Sequence, residues 1–119
     1  MRNFKELKIW QKGFQIAIKS YQITGVFPAN ERFGLTSQIN RASVSIPSNI
    51  AEGSSRTSGK EYYHYVQISL GSCFELETQL LIARELNYGN QAIITEVLLH
   101  LVEEEKMLTA FGNMLMKSC

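Results

Sequence analysis

Apolar residues recur along this chain at intervals of three and four, the period of one helical face, in four stretches divided by turn-forming residues. The first runs from about Lys5 to Thr24 with Trp10, Phe14, Ala17 and Tyr21 in register, and Gly25 stops it. Pro28, Ala29 and Asn30 lead to a second stretch, beginning near Glu31, in which Leu35, Ile39, Ala42, Ile46 and Ile50 share a face. Pro47 lies inside it, removing one backbone donor and crowding the Ser43 carbonyl, so a kink is expected there rather than a break. Ser43, Ser45 and Ser48 surround the proline and are expected to serve the freed carbonyl.

Ser54 to Gly59 is a Ser/Thr/Gly-rich loop in which Ser58 is placed to cap a third helix, with Glu61 at its third position. That helix, about Lys60 to Asn87, is the longest and carries two neighbouring stripes. Val66, Leu70, Cys73 and Leu80 form one; Tyr65, Ile68, Leu76, Ala83 and Leu86 form the other. The combined arc is wider than one bundle core needs. A fourth helix follows Tyr88-Gly89-Asn90 and runs to about Met116, with Ile94, Val97, Leu101, Leu108, Phe111 and Leu115 inward. Short connectors favour antiparallel neighbours. The pattern predicts an all-α fold, an antiparallel up-down-up-down four-helix bundle with a Pro47 kink in the second helix, occupying residues 1–119 as one domain.

Composition removes several classes of protein. Hydrophobic residues are 45% and charged residues 19%, ordinary for a globular domain and wrong for a disordered one. No apolar run approaches the length of a membrane span, and Met1 to Trp10 lacks a signal-peptide pattern. Cys73 and Cys119 make a poor disulfide framework, which fits a reducing compartment and a cytoplasmic location. The net charge of +1 hides a split. Residues 1–60 hold nine bases and three acids; residues 61–119 hold three bases and eight acids. Such asymmetry suits either a basic face for a polyanion or complementary surfaces meeting in an assembly.

Candidate chemistry is sparse. Lys5, Lys8, Lys12 and Lys19 fall at intervals of three, four and seven, so they share one face of the first helix. That row reads as a solvated face or as a set of phosphate contacts. Arg41, Arg56 and Lys60 add bidentate and point-charge phosphate binders near the Ser/Gly-rich loop. Tyr62, Tyr63 and Tyr65 read as packing or as a stacking platform for bases. Glu61-Tyr62-Tyr63-His64 supplies half of a ferritin-like metal site, and Glu61 is equally explained by capping. Glu75 and Glu77 point in different directions and read as structural ion-pair partners for Arg41 or Arg84. Glu103-Glu104-Glu105 reads as solvated surface. No nucleophile–base arrangement is evident and the chain has no aspartate, so no catalytic residue, metal or cofactor is called for.

The second and third helices carry a family resemblance. Phe33-Gly34-Leu35-Thr36-Ser37-Gln38-Ile39, Arg41-Ala42 and Ser45-Ile46-Pro47-Ser48-Asn49-Ile50-Ala51-Glu52-Gly53 resemble the hallmark of the bacterial bundle family named for intervening sequences of large-subunit (23S) ribosomal RNA genes. Leu70-Gly71-Ser72 with Glu75-Leu76-Glu77-Thr78-Gln79-Leu80 resembles its third-helix signature, and the likeness spans Leu7 to Leu115. It implies a ring-like homopentamer, kinship with the accessory protein of diversity-generating retroelements, and a non-enzymatic role beside RNA or a nucleic-acid enzyme. Asn40 and His64 depart from bases common in the family, and with a pI near 7.8 the chain is less basic than a strong RNA binder. The resemblance gives the wide third-helix arc and the charge split a common cause, flanks that meet around a closed heterologous ring. Lys8, Lys12, Arg41, Arg56 and Lys60 are the expected nucleic-acid contacts, and Asn49, Glu52 and Glu75 an expected structural polar motif. The competing reading is a protein-interaction scaffold whose bases serve subunit contacts alone.

Overall fold

Helix punctuation in the sequence becomes helix ends in the structure. The computed structural model describes residues 3–117. A short 3-10 turn, Phe4–Glu6, precedes α1 (Lys8–Thr24), and a second, Ala29–Glu31, precedes α2 (Leu35–Ser54). They are followed by α3 (Gly59–Glu85) and α4 (Gln91–Lys117). Gly25 caps the end of α1 through its N–H to the Tyr21 carbonyl. The second helix starts later than the apolar pattern suggests, because Glu31 stays outside it and its Oε1 accepts the Leu35 N–H at 3.0 Å. Ser58 caps α3 as expected, its Oγ accepting the Glu61 N–H at 3.1 Å and donating to Glu61 Oε1 at 3.2 Å. Between α3 and α4 the chain turns through left-handed backbone at Asn87 (φ 59°) and Gly89 (φ 78°), residues that tolerate it.

These four helices form an all-α four-helix bundle measuring 46 × 23 × 20 Å. Each helix packs on its sequence neighbours, and α1 closes the circle against α4. Paired residues run in opposite senses across the α1–α4 and α2–α3 contacts. Lys12 meets Glu103 while Lys19 meets Glu96, Ser72 meets Ser45 while Ser69 meets Ile46, and Tyr62 meets Phe111. Ile16, Ile23, Ile39, Ile46, Ile50, Leu76, Leu80, Ile94, Leu101 and Leu108 are fully enclosed. Burying each contributes roughly 1.5–3 kcal/mol, which outweighs weak helix propensity in the isoleucine-rich α1 and α2.

The helix α2 is continuous through Pro47. Its serines do not serve the Ser43 carbonyl in the expected way. Ser43 Oγ donates instead to the Asn40 carbonyl at 2.9 Å, and Ser69 of α3 reaches across to the Ile46 carbonyl at 2.9 Å. Asn49 donates to the Ser45 carbonyl at 2.8 Å and to Ser45 Oγ at 2.9 Å, and Ser72 donates to that same Oγ at 2.9 Å. The proline region is thus stitched to α3 by hydroxyls.

The first helix is turned part-way from the expectation. Its inward face is Ile9, Gly13, Ile16, Ala17, Ser20 and Ile23; of the expected stripe Ala17 is buried and Trp10 packs half-buried against the core, whereas Phe14 and Tyr21 are 48% and 51% exposed. Both stripes have helical period, and the small one wins because it lets the helices approach. A Cβ on Gly13 would lie 3.1 Å from Ile46 Cγ2 and 3.1 Å from Glu104 Oε2. The charge run 103–105 is also not wholly surface: Glu104 is fully buried and Glu105 half-buried.

Candidate nucleic-acid interface and assembly surfaces

The expected nucleic-acid residues lie at three separate places. Arg56 and Lys60 share a cleft at the corner where α2 passes into α3. Lys8 and Lys12 line a shallower one between α1 and α4, with Gln11, Gln15 and Met107. Arg41 is exposed on α2, fifteen residues before Arg56, a separation of roughly 20 Å at 1.5 Å rise per residue.

Part of the opposed charge is paired within the chain. Lys12 Nζ lies 3.2 Å from Glu103 Oε1 and 3.3 Å from His100 Nδ1, and Lys19 Nζ lies 3.0 Å from Glu96 Oε2. Hydrogen bonds and charge from the two lysines hold the Glu96 and Glu103 carboxyls below the usual range. The basic face of α1 therefore docks the acidic face of α4, and a polyanion reaching Lys12 must displace a carboxylate. This use of the charge split needs α1 beside α4, a placement that spacing alone does not specify.

Arg56 is held from two sides. Its guanidinium donates to Glu52 Oε2 at 2.8 Å and to the Tyr65 hydroxyl at 2.7 Å, and its carbon centre lies 4.8 Å from the Tyr65 ring centroid. Of the expected polar motif, Asn49 holds Ser45 and Glu52 holds Arg56, while Glu75 is exposed and has no ion pair among the described residues. Glu77 is not paired with arginine either. It meets Glu105 of α4, whose carboxyl is pushed up by burial and by hydrogen bonding and charge from Glu77. Among the tyrosines, Tyr62 enters the core and Tyr65 joins the Arg56 cleft. Cys73 is buried and its thiol is held well above its ordinary range, chiefly by burial; Cys119 lies outside the described residues.

Two apolar surfaces have no cover among the described residues. Between α1 and α2 runs a groove of about 360 Å³ lined by Trp10, Phe14, Ile18, Tyr21, Val44 and Pro47. Opposite in the circle of helices, Phe74 and Leu81 of α3 are exposed one heptad apart, with Val102 of α4 exposed as well. Glu77 lies between Phe74 and Leu81 on that helical face. The second α3 stripe also leaves Ile68 and Leu86 outside the core.

No curated protein sequence matches the chain. A solved structure does: a protein of unknown function from the S23 ribosomal protein family of Bacteroides thetaiotaomicron, 23% identical, superimposes with a TM-score of 0.79 over 87% of this chain and 97% of that one. The likeness shows a shared fold. The model of the family described as 23S rRNA-intervening sequence protein matches residues 5–110. With nearly every helix of the bundle inside that match, the chain belongs to the 23S rRNA-intervening sequence protein family.

Proposed function

We propose that this protein is a non-enzymatic bundle that assembles into a homo-oligomeric ring, a pentamer by family resemblance, and associates with RNA in the cytoplasm through its basic corner. The observation that carries the reading is the pair of uncovered apolar surfaces on separate flanks, the α1–α2 groove and the Phe74–Leu81–Val102 face. Different surfaces on two flanks suit a head-to-tail contact, which closes into a ring when the rotation permits. Aromatic residues such as Trp10, Phe14 and Tyr21 are the type enriched at interface centres. The scaffold alternative keeps the same assembly and gives Arg41, Arg56 and Lys60 subunit contacts alone.

Titration with labelled RNA at low and moderate salt separates the two. The RNA reading expects binding that weakens as salt rises, because each neutralised phosphate releases counterions. Charge reversal at Arg41 and Arg56 then removes RNA while leaving the assembled mass unchanged. Absence of binding at low salt, or binding without salt dependence, leaves only the scaffold.

A further inference from the structure

The corner between α2 and α3 has more chemistry than a patch of positive charge. Its cleft encloses about 510 Å³ and is lined by Arg56, Lys60, Glu61, Tyr63, His64 and Tyr65. That volume lies in the range of roughly 300–1,000 Å³ typical of sites for small organic ligands. The cleft forms along the first turns of α3. Two cations and three rings thus face one space.

The arrangement inside it is ordered before any ligand arrives. Arg56 is tied to Glu52 and Tyr65, so its guanidinium is fixed in orientation. His64 and Tyr65 stand edge to face with centroids 5.5 Å apart. Lys60 is exposed and has no ion pair among the described residues, so it can meet an anion without first breaking a contact. Glu61 is the one acid in the lining, its carboxylate accepting from Ser58, and Glu52 stands beside the cleft against Arg56. A phosphate satisfies the cations, and a flat heterocycle satisfies the rings.

Resting on the nucleic-acid reading above, we infer that this cleft takes one unpaired nucleotide, with its phosphate on Arg56 and Lys60 and its base against Tyr65 and His64. In a duplex the base faces are stacked and cannot reach side-chain rings, so the site selects single strands. The ring surface tolerates any base, since stacking uses the π face rather than the hydrogen-bonding edge.

Anisotropy titrations on the full-length protein test this with three probes: a single-stranded RNA decamer, the same sequence as a duplex, and free AMP as competitor. The expected result is single-strand binding at least about tenfold tighter than duplex binding, weakened roughly tenfold by Tyr65→Leu. Lys60→Ala, at an exposed position that leaves the fold intact, weakens the same complex and lowers its salt slope by about 0.7. AMP is expected to compete and to shift the His64 ring resonances. Equal affinity for both RNA forms with no effect of Tyr65→Leu overturns the cleft assignment while leaving RNA association standing. Binding of AMP with His64 shifts but no RNA binding supports the nucleotide chemistry and overturns the RNA reading. Binding of none of the three overturns both.

Discussion

Glu104 is the residue through which the fold should respond most strongly to pH. Its side chain is fully buried, and neither carboxyl oxygen has a hydrogen-bond partner. Burial raises its pKa from 4.5 to about 8, and the Lys12 charge opposes the shift only in part. Below pH 4.5 the carboxyl is protonated in both folded and unfolded chains and contributes nothing to the pH dependence. Between 4.5 and 8 the unfolded chain releases the proton and the folded chain keeps it, so each pH unit costs folding about 1.4 kcal/mol. Above 8 both states are ionised and the loss levels off, on the order of 5 kcal/mol in all. Stability is therefore highest in mild acid and is lost as pH rises through 8. Glu104→Gln keeps the shape and cannot ionise; its buried amide costs about 1–3 kcal/mol, but equally at every pH. Urea unfolding followed by circular dichroism from pH 5.5 to 8.5, at one protein concentration, compares the slopes. The variant is expected to lose up to about 1.4 kcal/mol per pH unit of the wild-type slope, the rest belonging to Glu105. Parallel curves for the two proteins would refute the buried, protonated carboxyl.

Other consequences follow from the same contacts. Ser58→Ala removes the side-chain acceptor for the Glu61 N–H and is expected to cost about 1 kcal/mol, read as a lower urea midpoint at unchanged m-value. Phe14→Glu places a charge in the α1–α2 groove, at a residue 48% exposed in the protomer. It is expected to leave the helical content intact and to reduce the assembled mass in light scattering; an unchanged mass would show that the groove lies outside the subunit contact.

The helix pattern was legible because local signals agreed with each other. Gly25, Ser58 and the Tyr88-Gly89-Asn90 turn all mark real ends, and the inward stripes of α2 and α4 follow directly from spacing. The face of α1 was not legible, since its aromatic and its small-plus-isoleucine stripes share one period. Close approach at Gly13 decides between them, and that depends on Ile46 and Glu104 from other helices. Glu104 was hidden inside a run of three glutamates. Its place in the series Val97, Leu101, Glu104, Leu108 on the buried face was the available signal. The five basic residues looked alike in sequence, and only tertiary packing separates Lys12, engaged by α4, from Lys60 in the open cleft. The Glu77–Glu105 meeting joins α3 to α4 and has no local signature.

The central claim is that the bundle is one subunit of an assembly. Light scattering on the purified protein across a tenfold concentration range tests it directly. The account predicts a single species at five times the 13.5 kDa chain mass, or at another fixed multiple if the ring closes with a different number of copies. A mass of one chain at every concentration would contradict it.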